Sequence, residues 1–226
     1  NRDALDRVAS EIATAGGVAE TAQIDVLDEG AVDEHADAIA DKAGNLDVSF
    51  NAIGYGDVHG IPLIQLPYDD FASPVMDALR AQFLTTRAGA RHMVTRGSGV
   101  ILTITATTAR LAIPDVGGTG VRFDAVESLC RQWAAELGPA GIRVAWLRTT
   151  GIPEALDETA DLFPDYGTGS GGMARKELIE WMQGKTMLKR LTSLTDVGNL
   201  AAFMASDQAS AMTGSAVNIT CGTVPD

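Results

Sequence analysis

Short apolar runs alternate with amphipathic stretches along the whole chain. Leu5, Val8, Ala9 and Ile12 recur at helical spacing behind a cap at Asn1 or Asp3, and Gly16-Gly17 closes that helix. Residues 22–26 (AQIDV) read as a strand, residues 28–43 as a polar helix and residues 46–51 as the next strand. A long helix is predicted over residues 68–96. After the Gly97-Ser98-Gly99 break, residues 100–105 (VILTIT) have the near-continuous apolar character of a strand deep in a parallel sheet. Val126, Leu129, Cys130, Trp133, Ala134 and Leu137 mark one face of a helix that Gly138-Pro139 and Gly141 stop before a strand at residues 142–147. A helix near residues 196–205 and a strand near 216–220 complete the series. Strands alternating with helices predict an α/β fold, a doubly wound parallel sheet with helices on both faces. Between residues 153 and 190 the chain turns acidic, Gly-rich and Met-containing, with the run Gly167-Thr168-Gly169-Ser170-Gly171-Gly172, and reads as a mobile flap.

Composition narrows the picture. The 226 residues fit one domain, with no compositional seam and, at 46% hydrophobic, enough apolar material for a large core. Seventeen Lys and Arg against thirty Asp and Glu leave a charge of −13, which repels phosphate backbones and anionic headgroups and so argues against nucleic-acid or membrane-surface partners. Cys130 and Cys221 form no CxxC pair and no metal-ligand spacing, pointing to a reducing cytoplasm and no metal site. No apolar run approaches the roughly 20 residues that span a bilayer. The chain opens without an initiator Met or an apolar signal core, and an amino-terminal piece is expected to be missing.

Several segments together resemble the short-chain dehydrogenase/reductase family, Rossmann-type NAD(P)-dependent oxidoreductases. The strongest are Ala134-Ala135-Glu136-Leu137-Gly138-Pro139-Ala140-Gly141-Ile142-Arg143-Val144, Leu194-Thr195-Asp196-Val197, Ala205-Ser206-Asp207 and Thr213-Gly214. Weaker ones are Asp25-Val26 after a strand, Phe50-Asn51-Ala52-Ile53-Gly54 where the family has Asn-Asn-Ala-Gly, and Gly151-Ile152 where it has Pro-Gly-hydrophobic. The resemblance implies NAD or NADP as cofactor. Asp25 and Val26 would contact adenine, Asn51, Ala52 and Gly54 would line the adenosine ribose, and Gly151 and Ile152 would approach the nicotinamide, all at strand carboxyl ends. Read without the family, Asp25 is a helix cap and Asn51 a turn residue.

Two departures follow. The Gly-rich turn that cradles a pyrophosphate between a first strand and first helix is absent from these residues. Gly118-Thr119-Gly120 follows its strand too late and reads as the start of a helix, while Gly167–Gly172 has no strand before it. In the family's sheet order, 3-2-1-4-5-6-7, the chain begins after the second strand, so the expected fold is an N-terminally truncated Rossmann-like domain. The strand at 22–26 would lack neighbours, its unpaired backbone groups costing about 1–3 kcal/mol each if buried. The second departure is chemical. The family resembles a design in which a Tyr, with a Lys four residues later, is the general acid–base, a Ser polarises the substrate carbonyl and an Asn supports a proton relay. Counting from the Ala134–Gly138 anchor puts Thr119 at the Tyr position, Phe123 at the Lys position, Ala106 at the Ser position and Ala78 near the Asn position. Thr105 and Thr107 are the available hydroxyl substitutes. Tyr55, Tyr68 and Tyr166 are followed four residues on by His59, Ala72 and Ser170, so no Tyr-x-x-x-Lys exists in the chain.

Asp69-Asp70 and Asp28-Glu29 stand at helix starts, where they complement the helix dipole. Met173, Trp181, Met182, Met187 and Leu188 either line a mouth for a hydrophobic small molecule or pack the flap onto the body. Residues 68–96 and 121–137 resemble the helices with which the family builds homodimers and tetramers. Two functions remain: an oxidoreductase of an unidentified carbonyl or alcohol with an altered site, and a catalytically silent dinucleotide- or ligand-binding subunit.

Overall fold

A computed structural model describes residues 1–158 and 175–225. Four parallel strands, β1 (Val48–Asn51), β2 (Gly99–Ala106), β3 (Ile142–Thr149) and β4 (Ala216–Ile219), lie in the order β1-β2-β3-β4. The helices are α1 (Arg2–Thr14), α2 (Glu29–Ala43), α3 (Tyr68–Arg96), α4 (Thr119–Leu137), α5 (Pro153–Glu158), α6 (Arg175–Lys185) and α7 (Leu194–Ala205). The period of two along each strand sorts its side chains into two layers. Ile101 on β2 and Ile142, Val144 and Trp146 on β3 face α3 and α4, where Ala78, Ala90, Met93, Val126, Cys130, Ala134 and Leu137 close the larger core. Val100 and Leu102 on β2 and Ala145 and Leu147 on β3 face α7, against Val197, Leu200 and Met204. Helices therefore cover both faces, as the alternation predicts.

Local chemistry places the helix ends. Asp28 accepts from the Ala31 amide at the start of α2, and Ser193 with Asp196 makes a reciprocal capping box at the start of α7. Gly141 ends the short turn after α4 with φ +80°, and a Cβ there would strike the Gly97 carbonyl oxygen, so the turn into β3 requires glycine.

Residues 22–26 are not a strand. Residues 22–25 have no ladder partner and Val26 stands in a turn, because a strand persists only where a neighbour takes its backbone hydrogen bonds. Ile24 packs instead on Val32, Ala36, Leu84 and Ala88 between α2 and α3. Beside it β1 is the sheet edge, and Ile24, Val32, Ala36, Leu46, Val48 and Phe50 line a groove of about 340 Å³. α1 buries none of its residues; Val8 and Ile12 stay exposed. Gly167–Gly172, Tyr166 and Met173 lie outside the described residues. No helix among the described residues is long and apolar enough to cross a membrane.

Candidate active site

The carboxyl ends of the parallel strands meet the start of α4 and the segment after β1, the edge where open α/β sheets bind ligands. Two close backbone approaches hold that segment in place. The Gly60 amide donates to the Asp115 carbonyl over 2.7 Å, and Gly117, at φ +54°, lies so near the Val58 carbonyl that a side chain would collide. Tyr55, Asp57 and His59 are thereby set against Thr119, Arg122 and Phe123 on the first turn of α4.

These residues form one buried polar cluster. The Arg122 guanidinium donates to Asp57 over 2.5 Å, with both side chains more than nine-tenths buried. It also lies 4.2 Å from the centre of the Phe123 ring and 5.3 Å from that of Tyr55, within cation–π range. His59 Nε2 is 2.8 Å from Thr119 Oγ1. Burial raises the Asp57 carboxyl pKa, against the pull of Arg122 and Thr119, and burial lowers that of Arg122, against the pull of Asp57 and Tyr55. Burial, with the Arg122 cation, pushes His59 down to about 4; burial pushes the Tyr55 phenol up to about 12 despite Arg122. Tyr55 thus stands beside a cation, yet its surroundings oppose a phenolate.

A second polar group lies one turn along α4. Glu127 is fully enclosed and accepts two bonds from Arg148, Nε to Oε1 at 2.9 Å and a terminal nitrogen to Oε2 at 2.7 Å. Thr105 donates to the same carboxylate over 3.0 Å, and Arg110 approaches it at 3.7 Å. Thr105 is fully buried with its hydroxyl engaged.

The structure brings together residues that the sequence numbering keeps apart. Asn51, Tyr55, Ala78, Gln82, Arg122 and Phe123 border one hollow of about 20 Å³. The positions expected for the relay Asn and the Lys therefore converge on Asn51, carrying a methyl and a phenyl group instead. Ala106 ends β2, and the buried Thr107 begins the turn after it. Gly118-Thr119-Gly120 is the start of α4. Ala52 and Gly54 are exposed, and a Cβ on Gly54 would meet nothing. Asp25 is exposed, its carboxylate accepting from the Leu27 amide in a local turn, with Val26 partly buried beside it. Gly151 is covered by the Met182 methyl group from α6, and Ile152 packs on the α7-side core. Among the described residues no three His, Cys, Asp or Glu side chains gather to hold a metal ion.

Sequence reasoning missed Asp57, Arg122, Glu127 and Arg148. Glu127 carried a signal: it interrupts the apolar face that Val126, Cys130 and Ala134 define, and a carboxylate there needs a buried partner. Nothing along the chain pairs Asp57 with Arg122, 65 positions away.

A parallel sheet with helices on both faces and a buried polar cluster at the strand carboxyl ends define a Rossmann-like α/β fold. A family model described as enoyl-(acyl carrier protein) reductase matches residues 1–223. Among curated proteins, the NADH-dependent enoyl-acyl-carrier-protein reductase FabI of Synechocystis is 30% identical over 200 residues, 88% of this chain and 72% of that protein. The uncharacterized oxidoreductase YxbG of Bacillus subtilis is 30% identical over 216 residues, 95% and 76% of the two chains. Among solved structures, an NAD⁺-bound xylitol dehydrogenase superposes with a TM-score of 0.87 at 25% identity, over 98% of this chain and 86% of the other. A 7α-hydroxysteroid dehydrogenase with NADH and a 7-oxo bile acid does so with a TM-score of 0.84 at 27% identity, over 99% and 82%. The chain belongs to the short-chain dehydrogenase/reductase family of oxidoreductases.

Proposed function

We propose that the protein is an NAD- or NADP-dependent oxidoreductase of a small, hydrophobic carbonyl or alcohol, working without the family's Asn, Ser, Tyr and Lys. The observation that carries this reading is Asn51. Its side-chain Nδ2, at the carboxyl end of β1, is buried and has no hydrogen-bond partner, so it is set to donate to an incoming acceptor. Ala52 and Gly54, which follow it, are exposed. Those three residues fit an adenosine ribose, with Asp25 and Val26 on the adenine side and Gly151 and Ile152 toward the nicotinamide, under α6 of the 153–190 flap. A bound dinucleotide would supply the hydride acceptor or donor. The reading treats residues 1–226 as one domain in a reducing cytoplasm, which the two free buried thiols support.

Calorimetric titration with NADH and NADPH tests it. Saturable binding of at least one is expected, weakened several-fold by Asn51→Ala through the loss of one hydrogen bond, about 0.5–1.5 kcal/mol. Binding of neither overturns the proposal. Turnover is then sought against ketones, alcohols and enoyl thioesters. Ala78, Ala106, Thr119 and Phe123 at the four tetrad positions favour the second reading, a silent dinucleotide- or ligand-binding subunit, and binding without turnover would select it.

Homo-oligomerisation is part of the same proposal. Met76, Phe83 and Val94 on α3 and Val121 on α4 are exposed apolar side chains, and such patches favour self-association. Light scattering after gel filtration is expected to give a dimer or tetramer, shifted toward the monomer by Phe83→Glu. An unchanged mass would place the interface elsewhere.

A further inference from the structure

Tyr55 borders the hollow on which two of the four expected catalytic positions, Ala78 and Phe123, converge. The Arg122 guanidinium lies 5.3 Å from the centre of its ring, and Asp57 holds that cation in place. A phenol with a cation beside it is thereby assembled from the segment after β1 and the chain neighbour of Phe123, instead of from one face of α4. Asp57 Oδ1 and Arg122 Nε are enclosed without partners. The oxygen of the half-buried Tyr55 is not enclosed, and it makes no side-chain hydrogen bond among the described residues, so it is a donor with room for an acceptor. Of the other phenols, Tyr68 is 77% exposed at the start of α3, and Tyr166 lies outside the described residues. We propose that Tyr55 is the catalytic acid of a ketone reductase and gives its hydroxyl proton to the substrate carbonyl oxygen. The proposal rests on the oxidoreductase reading above and narrows its substrate to a ketone.

In the step, the carbonyl carbon accepts a hydride from the reduced nicotinamide dinucleotide and forms the carbinol C–H bond. The electron pair of the carbonyl π bond moves to oxygen, which takes the proton of the Tyr55 hydroxyl. The phenol O–H bond breaks, and its electron pair stays on the phenolate oxygen. A solvent proton then restores the phenol. In sum, one ketone, one reduced dinucleotide and one solvent proton give one secondary alcohol and one oxidised dinucleotide.

The surroundings suit an acid better than a base. Burial pushes the phenol up to about 12, with Asp77 on α3 adding to the rise and Arg122 on α4 opposing it. Asp57 and His59 are the other titratable groups of its own segment. The phenol therefore keeps its proton throughout the neutral range, as a proton donor must, while the phenolate that alcohol oxidation needs as a base is scarce. Arg122 stays charged and stands beside the phenolate that the transfer leaves. The contacts of Gly60 with Asp115 and of Gly117 with Val58 fix the segment that carries Tyr55 against the start of α4 before substrate arrives. In this arrangement Tyr55 is the catalytic residue and Arg122 a positioning one.

Two measurements on the full chain test the proposal, both with acetophenone as the probe. The first is infrared difference spectroscopy of the ketone labelled with ¹³C at its carbonyl, bound beside NAD⁺ or NADP⁺ so that no hydride is available. The carbonyl band is expected to fall in frequency in wild type, through the hydrogen bond from Tyr55, and to return to its unbonded position in Tyr55→Phe. The second is turnover with NADH or NADPH. Tyr55→Phe is expected to lower kcat by about 10²-fold or more, with cofactor Kd held within about twofold. The phenyl ring preserves the packing of Tyr55, so a merely structural role would move neither the band nor kcat. Reduction is expected to stay level from about pH 6 to about pH 9, while oxidation of 1-phenylethanol rises about tenfold per pH unit. Equal kcat for wild type and Tyr55→Phe, or one carbonyl frequency in both, overturns the proposal. Dinucleotide binding with neither turnover nor a shifted band also overturns the role of Tyr55 while sparing the binding reading. Absence of dinucleotide binding overturns the oxidoreductase reading, and the role of Tyr55 with it.

Discussion

Glu127→Ala is expected to destabilise the protein by about 3–5 kcal/mol. Glu127 has no exposure and Arg148 has 3%, so removing the carboxylate leaves a guanidinium inside the fold with its paired bonds to Glu127 gone. The Thr105 hydroxyl loses its acceptor at the same time. For a domain of this size each kcal/mol moves Tm by roughly 2–4 °C, so a fall of about 6–20 °C is expected, read by urea and thermal unfolding. Replacing both partners, Glu127→Leu with Arg148→Met, is expected to recover most of the loss, because an apolar pair of similar volume carries no desolvation penalty. Thr105→Val removes one hydrogen bond and is expected to cost about 1 kcal/mol. A Glu127→Ala loss below about 1 kcal/mol would mean that water reaches this carboxylate in solution.

Acid sensitivity between pH 6.5 and 4 is the second large effect. The folded His59 titrates at about 4 against an ordinary 6.5, so between those values the unfolded chain holds a proton that the folded chain does not. Stability is full above pH 6.5 and is lost as pH falls toward 4, by about 2–3 kcal/mol after allowance for the partial exposure of the ring. Asp57 acts in the opposite direction, because its folded pKa is raised and protonation favours the fold. Asp196, held down to about 2 by Ser193 and Arg190, contributes above its ordinary 3.8 and loses that contribution only as pH approaches 2, outside this window. The difference between wild type and His59→Gln therefore isolates the imidazole. Urea midpoints at pH 7.5 and 4.5 are expected to separate strongly for wild type and much less for the variant. Parallel curves would show that His59 is no more buried in solution than in the unfolded chain.

Much of the fold was legible because it depends on local periodicity. The 68–96 helix is read to the residue, since Gly97 in the left-handed region ends it and the Tyr-Asp-Asp start supplies dipole-matching charge. The run 100–105 was readable as a central strand because both of its faces are covered, by α3 and α4 on one side and α7 on the other. Residues 22–26 carried the same kind of pattern without becoming a strand. A strand's stability lies in its neighbour, and the apolar Ile24 found a helix pair to pack on instead.

The candidate site divides along the same line. Counting from the Ala134–Gly138 anchor set the expected tetrad positions at Thr119 and Phe123 on α4, Ala106 at the end of β2 and Ala78 on α3. It could not report what surrounds them. His59 and Thr119 are 60 positions apart, Asp57 and Arg122 are 65 apart, and only the docking of the segment after β1 on the start of α4 brings them within bonding distance.

By itself, then, the order of residues determined most of the elements, the parallel α/β architecture and the family, because each follows from pattern and spacing along the chain. The tertiary structure decided which polar groups meet and which side chains lose water: that Arg122 pairs with Asp57, that Thr105 is held by Glu127, and that an imidazole leans on Thr119. Hydrogen-bond partnership and desolvation arise from proximity in space, which spacing along the chain does not encode.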